Sequence, residues 1–427
     1  MKLLIKNTEI VDPVEDYPGG LDLLIEDGVI RDIGRGITEE AEVVLDGSGL
    51  KLLPGLVDMH CHLREPGFEY KETVATGTKA AARGGFTALC CMPNINPVLD
   101  CEEVMNKLQR VIKRDAQVKV YPIAALSVGQ QGRELTDMEG LKELGAIAFS
   151  DDGQPVTNNK LLLDALRIAK EKDFLIIDHC EDHSLVDGGV IHRGKTAKAL
   201  GLKGISSLSE ELPIMRDILL ASEADCRIHI AHVSTKGAVE MLRIAKEKGI
   251  EVTCEVTPHH IGLSDEVITA GATDCKVNPP LRSAEDVAAM KQALKDGTID
   301  VIATDHAPHH ETEKGEDFYK AANGISGIET AFSVCYTELV EAGVMSLKEL
   351  TAKMCYNPSK ILGLPGGRVC VSAPADLVMV DVNKVVTVDK NKFLSKGKNT
   401  PFHGRSYKGE VIYTIMEGKL VYHKEEI

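Results

Sequence analysis

Two histidines one residue apart, His60 and His62, close a short apolar stretch, LVDMHCH, that reads as a β-strand. A period of two turns both imidazoles to the same side of that strand. Histidine or aspartate also closes four further apolar stretches: Asp151 and Asp152 in AIAFSDD, His179 in FLIIDHC, His232 in RIHIAHV, and Asp305 with His306 in VIATDHAP. With 14 histidines in 427 residues, chance supplies about half an H-x-H pair, so the pair alone is a weak signal. Five strand ends that all offer imidazole or carboxylate are a strong one. Imidazoles and carboxylates without thiolates suit zinc or a similar divalent ion such as cobalt or manganese, and this many groups exceed the four or five ligands of one catalytic zinc. Two ions fit better. A carboxylate between them can bridge both, and another at the last strand can hold one ion and still reach an attacking water. Cys61 and Cys180 flank these positions, but alternation turns them away from the axis, so they are expected to pack between strands and helices.

The elements that must position these groups recur along the chain. Candidate strands begin near Leu56, Thr87, Val118, Ala146, Phe174, Arg227, Glu251 and Val301, and most are followed by an amphipathic stretch. Residues 159–172 place Leu162, Ala165, Leu166 and Ala169 on one helical face, and residues 236–248 are expected to do the same with Val239, Leu242 and Ile244. Both segments end in RIAKEK, an echo too short to establish duplication. Eight alternations of strand and helix favour an α/β fold of the (β/α)8 TIM-barrel type over an open sheet. About 50 residues separate the fifth strand from the sixth and the seventh from the eighth. That extra chain is expected to be loop on the substrate face, with 182–209 and 309–327 as candidate lids.

The two ends read differently. LLIKNTEIV, LDLLIEDGVIRDI and AEVVLD at the start, and ADLVMVDV, KVVTVD and GEVIYTIMEGKLVYH at the finish, are short strands with turn residues between them. Neither end can bury a core alone, so the two are expected to pair as one composite β-sandwich domain from 1–53 and 365–427, beside a barrel over 54–364.

Composition narrows the function classes. Acidic residues outnumber basic ones 65 to 49, a net charge of −16, which argues against nucleic acid or an anionic membrane as partner. No apolar run approaches the roughly 18 residues of a membrane span. The opening MKLLIKNTEIVDP puts acidic residues where a signal peptide keeps its apolar stretch, so a cytoplasmic location is expected. Eleven cysteines without a C-x-x-C pair suggest reduced thiols. GLPGGR lacks both the spacing and the lysine of a phosphate-cradling loop.

Taken together, VDMHCHLREPG, MPNINP, FSDDG, DHCED, AHVS, KVNPPLR and ATDHAPH resemble the dihydroorotases of the cyclic-amidohydrolase superfamily, in the type whose metal centre lacks a carboxylated lysine. The likeness spans nearly the whole chain, including NTPFHG at 399–404. It implies two zinc ions per subunit with one bridging hydroxide. By resemblance His60, His62 and Asp305 belong to one ion, His179 and His232 to the other, and Asp152 bridges them; the family's aspartate matches the one immediately before Gly153. The resemblance also gives substrate roles to His62, Arg64, Asn94, Asn278, His309 and the backbone around Asn323 and Gly324. Dihydroorotate carries one carboxylate and a cyclic imide–urea edge. A guanidinium at Arg64, with Asn94 and His309, suits the carboxylate through charge-assisted hydrogen bonds, and Asn278 suits the ring. Plainer roles exist: Arg64 as an ion-pair partner of Glu65, Asn94 as a turn residue before Pro97. AANGISG departs from the family, which more often carries proline and an aromatic residue where Ala322 and Asn323 stand.

The implied reaction is the reversible cyclisation of N-carbamoyl-L-aspartate to (S)-dihydroorotate plus water in pyrimidine biosynthesis, with Asp305 carrying the proton. An aspartate that must accept and return a proton implies that acid favours ring closure and base favours hydrolysis. A homodimer and association with aspartate carbamoyltransferase are the partners the resemblance suggests; the residues themselves are silent on both. Two other readings compete. A hydantoinase, dihydropyrimidinase or allantoinase would typically bridge its metals with a carboxylated lysine, absent from FSDDG, and would not need Arg64. A non-catalytic dihydroorotase-like subunit of a carbamoyltransferase complex would be expected to lose ligands, whereas all six stand here.

Overall fold

Apolar runs that start after turns form the eight parallel strands of a barrel: Leu56–Cys61, Phe86–Cys91, Lys119–Ala124, Ala148–Phe149, Ile177–Asp178, Ile228–Ile230, Val252–Val256 and Val301–Ile302. A computed structural model describes residues 2–424 of the chain. The first four strands pair in chain order, as do the last four. Parallel bridges from Phe149 to Ile176 and from Cys61 to His306 close the ring. Both faces of such a strand are covered, which is why every residue of the first two is buried.

One cluster gathers Val57, Met59, Cys90, Ile123, Ala148, Ile177 and Val301 from six of the eight strands, with Ala231 just past the end of a seventh, and therefore fills the barrel interior. A register shift lies between Asp58 and Cys61. It hands the inward direction from Met59 to His60 and His62 at the rim, as a bulge re-aims side chains. Cys61 and Cys180 join the larger cluster between strands and helices. The Cys61 thiol donates to the Cys90 carbonyl at 3.3 Å and that of Cys180 to Asp217 Oδ2 at 3.0 Å.

Helix Asn159–Lys172 begins where the Asn158 side chain accepts from the Lys160 and Leu161 amides, and it buries Leu162, Ala165, Leu166 and Ala169. Each fully buried leucine of this kind stabilises by about 2 kcal/mol relative to exposure. Helix Lys236–Glu247 corrects the expected stripe. It buries Val239, Leu242 and Ala245, whereas Ile244 is 51 % exposed. A step of three from Leu242 reaches Ala245, and the step of two to Ile244 leaves that face.

The chain ends share one sheet. Lys51–Pro54 pairs antiparallel with Leu377–Thr387, joining N-terminal strands to C-terminal ones. Strand Lys2–Ile10 shifts register between Ile5 and Thr8 and passes from a partner at Val43–Asp46 to one at Lys51–Pro54. Leu3, Leu23 and Ile25 from one part of the sheet pack on Leu52, Leu377, Met379 and Ile415 from the other. The two expected strands ADLVMVDV and KVVTVD run on as one, Leu377–Thr387, with a register shift between Asp381 and Val385.

The long excursion after the fifth strand is not plain loop as expected. It holds helices His183–Val186 and Lys195–Leu200 and a parallel pair, Ile191–His192 with Gly204–Ile205. Ile191, Leu263, Ile268, Phe318, Ile325, Phe393 and Phe402 form a separate core there, contributed by segments that follow strands five, seven and eight and by the C-terminal part. Short elements of this length depend on that shared core. Among the described residues no helix is long and apolar enough to cross a membrane.

Candidate metal centre and substrate cavity

His60, the last inward side chain but one of the first strand, is fully buried. Its Nδ1 lies 2.7 Å from Glu255 Oε1 of the seventh strand. Nε2 is left facing Asp152 Oδ1 at 3.3 Å and Asp305 Oδ1 at 3.5 Å, without a hydrogen bond to either. His62 is held in the same manner: Nδ1 is 2.9 Å from Asn94 Oδ1 and Nε2 is 3.0 Å from Asp305 Oδ1. His179 Nδ1 meets His232 Nε2 at 2.8 Å, and the two nitrogens stand 3.5 and 3.8 Å from Asp152 Oδ1. Two sets of atoms are close enough to hold an ion, His60 with His62 and Asp305, and His60 with Asp152 and His232; within each set all ligand atoms lie within 4.8 Å of one another. His60 belongs to both sets, and His179 touches the second through His232.

Charge at this point calls for a cation. Burial opposes ionisation of Asp152 and Asp305, yet His60 beside them drives both carboxyls well below their ordinary value. Burial likewise opposes a charge on His179, and Asp152 and Glu181 overcome it, raising the ring to about 10. Carboxylates that hold protons on buried imidazoles will hold a divalent ion in their place. His60 Nε2, which faces both carboxylates, is buried with no hydrogen-bond partner, and an unsatisfied buried nitrogen costs about 1–3 kcal/mol. The donor set therefore fits a metal centre of nitrogen and oxygen ligands.

A second layer holds the first. Asp58 accepts from the Thr304 amide at 2.8 Å and from its hydroxyl, tying the strand that carries His60 to the one that leads to Asp305. Glu255 sits between His60 and His229, its Oε2 3.2 Å from His229 Nε2. Although burial raises it, those histidines bring its carboxyl down to about 2. Of the adjacent aspartates, Asp152 enters the cluster and Asp151 turns away to accept from the Leu126 and Ser127 amides. Arg64, His232 and Asp305 have φ of 62°, 31° and 43°, a left-handed backbone that non-glycine residues hold mainly where the surroundings impose it. A third group, Asp178, Cys180 and Asp217, has ligand-like spacing, but Arg216 already supplies its cation, with Nε 2.7 Å from Asp217 Oδ1.

Eleven of the twelve residues singled out from sequence line one cavity of about 220 Å³: His62, Arg64, Asn94, Asp152, His179, His232, Asn278, Asp305, His309, Asn323 and Gly324. His60 is sealed from it. Arg64 is 9 % exposed; its Nε donates to the Pro308 carbonyl at 3.3 Å and Nη2 lies 3.4 Å from His309 Nε2. Glu65, the plainer partner, accepts from the Val74 amide instead. Burial, with Arg64 and Lys71 nearby, pulls His309 down to about 3, so its ring is neutral. Its Nε2–H donates to the Asn323 carbonyl at 2.9 Å. Gly324 spends its amide on the Lys276 carbonyl at 3.0 Å, and its carbonyl accepts from Asn399 Nδ2 at 2.9 Å. Gly324 therefore offers the cavity room rather than a hydrogen bond.

Known proteins resemble this chain in sequence and in fold. A family profile described as dihydro-orotase-like matches residues 49–238. Proteins named dihydroorotase from Acetivibrio thermocellus and Pelotomaculum thermopropionicum are 49 % and 50 % identical to the chain, covering 98 % and 99 % of it and 98 % of their own length. One from Syntrophus aciditrophicus is 48 % identical over the full length of both. The chain belongs to the dihydroorotase family. Among solved structures, an L-hydantoinase from Arthrobacter aurescens superposes with a TM-score of 0.89 at 25 % identity, covering 100 % of this chain and 97 % of its own. A dihydropyrimidinase from Brevibacillus agri superposes with a TM-score of 0.86, covering 100 % and 96 %. The resemblance read from motifs is thus a family membership, and the barrel is that of metal-dependent amidohydrolases.

Within this dihydroorotase-family site, sequence reasoning missed Glu255, Asp58 and Asn399. For Glu255 a signal was present: VTCEV is a largely buried strand interrupted by one carboxylate, a residue type almost never fully buried without a partner.

Proposed function

We propose that the protein is a dihydroorotase, interconverting dihydroorotate and N-carbamoyl-L-aspartate. The observation that carries this reading is Arg64, a buried guanidinium that lines the cavity and makes no ion pair among the described residues. A buried cation of this kind asks for an anion, and the carboxylate of dihydroorotate supplies it. The cavity of about 220 Å³ lies below the usual range for larger ligands and suits one small ring.

His60, His62, Asp152, His179, His232 and Asp305 would hold the metal, which when bound lowers the pKa of water toward neutrality and polarises the ring carbonyl. Asp305 is ionised and 3.0 Å from His62. It takes a proton from the attacking water as the new C–O bond forms, and returns that proton to the ring nitrogen as the C–N bond breaks. Ring closure runs the same transfers backwards and releases water. Arg64 and His309 orient the carboxylate, Asn278 meets the ring, and Asn94 keeps His62 Nε2 turned inward by holding Nδ1.

The same reading includes two zinc ions per chain, a place in pyrimidine biosynthesis in the cytoplasm, a homodimer and docking with aspartate carbamoyltransferase. It also divides the chain into a barrel over 54–364 and a composite β domain from 1–53 and 365–427. Metal analysis and sedimentation with and without that transferase test the assembly. The activity is tested by assaying purified protein with dihydroorotate, hydantoin, dihydrouracil and allantoin in parallel, before and after chelation. Dihydroorotate should turn over, and chelation should abolish it. The hydantoinase reading draws on the shared barrel and predicts the reverse preference, an outcome that ends the proposal.

A further inference from the structure

Lys314 lies in the turn after His310 and is 8 % exposed, in a region where neighbouring charges face solvent. A buried ammonium is costly unless each of its three N–H groups is matched. Here all three are matched by backbone: Nζ donates to the carbonyls of Ala322 at 2.8 Å, Lys276 at 3.0 Å and Gly324 at 3.2 Å. The acid in its neighbourhood, Asp274, pairs with Lys390 at 2.9 Å. Burial pulls the Lys314 amine down to about 8, a measure of how strongly the site is desolvated.

We propose that Lys314 is a positioning residue for substrate binding: its ammonium gathers three carbonyls and so sets the loop 321–324, which contributes Asn323 and Gly324 to the cavity lining. The assignment rests on the dihydroorotase reading and adds to it. Other ties converge on the same loop. Lys276 Nζ donates to the Ala321 carbonyl at 2.6 Å, and the Ala322 amide donates to the Glu313 carbonyl at 2.8 Å. With the carbonyls of Ala322 and Gly324 drawn toward Lys314, the Asn323 carbonyl between them is presented to His309 Nε2. Thus Lys314 acts on the substrate through Asn323 and His309. It makes no hydrogen bond to any of the six candidate metal ligands.

That separation gives the test. The full-length, metal-loaded protein is compared with Lys314→Met and Lys314→Arg for hydrolysis of dihydroorotate and for metal content. Lys314→Met should raise KM by roughly tenfold or more while kcat stays within about threefold, because ground-state orientation is lost and the reacting groups are not. Metal content should equal that of the unaltered protein. Lys314→Arg keeps a charge and donors but cannot converge them on three carbonyls at one point, so its KM should lie between the two. Unchanged KM in Lys314→Met, or equal losses of kcat and metal, overturns the assignment. Should Lys314→Met fail to fold, Lys314→Arg decides alone, and an unchanged KM overturns it. An unaltered protein that leaves dihydroorotate intact overturns the functional reading itself, a result distinct from either.

Discussion

The candidate metal cage and the cavity wall that carries Asn323 and Gly324 are held by different means. In the cage, side chain fixes side chain: Glu255 holds His60, Asn94 holds His62, and Asp58 takes the Thr304 hydroxyl, tying the two strand ends together. In the wall, side chains grip backbone: Lys314, Lys276 and Asn399 fasten the carbonyls of residues 321, 322 and 324. The contrast follows from what each must do. Ligand atoms must stand at fixed bonding distances from an ion, so the His60 and His62 rings are each locked by the second nitrogen. A loop that lines a cavity must leave room and direct a few polar groups, so it is the course of the chain that has to be fixed. Damage to the cage should therefore appear in turnover or metal affinity, and damage to the wall in KM.

The sharpest way to break this contrast is Asp305→Asn. The amide keeps the shape and one ligand oxygen but cannot take a proton from water. Loss of a general base costs about 10²–10⁴-fold, so kcat should fall on the order of 10³-fold with metal still bound. Near-full turnover at unchanged metal content would remove Asp305 from its role.

Next in size is Arg64→Met. A charge-assisted hydrogen bond contributes about 1.5–3 kcal/mol, so kcat/KM for dihydroorotate should drop by about 100-fold, chiefly through KM. Any residual turnover of hydantoin, which has no carboxylate, should be unaffected. Equal loss for both substrates would show that Arg64 supports the fold and not the carboxylate. Glu255→Gln tests the cage from behind. Replacing such a partner lowers metal affinity by about 10- to 100-fold, measurable by competition with a chelator, while KM at saturating metal stays the same.

The cage was legible in sequence because a parallel barrel carries all its strand C-termini to one rim. Residues as far apart as His62 and Asp305 need only end their strands to meet there. The strand register shift near Asp58 leaves this intact, since it moves His60 and His62 together. The wall was not legible in the same way. Lys314 sits in ETEKGED, which has the composition of a solvated turn, and its burial depends on a carbonyl 38 residues earlier. Likewise Ile191–His192 and Gly204–Ile205 are too short for periodicity to reveal, and only their shared core explains them. Ile244 was misplaced for a local reason, a helical step counted as two where three was needed.

The smallest expected effect is that of Gly324→Ala, and it is the most direct test of the wall. Gly324 has a φ of 149°, and a Cβ there would stand 2.6 Å from the Ala307 carbonyl oxygen and 3.0 Å from His309 Cδ2. Backbone strain of this kind costs about 1–3 kcal/mol. Because Lys276, Lys314 and Asn399 hold both polar groups of Gly324, the loop cannot retreat without losing those bonds, and His309 must give way. KM for dihydroorotate should rise about fivefold to tenfold, with kcat and metal affinity nearly unchanged. A matching fall in metal affinity would mean that wall and cage move as one body, and the division between them would have to be given up.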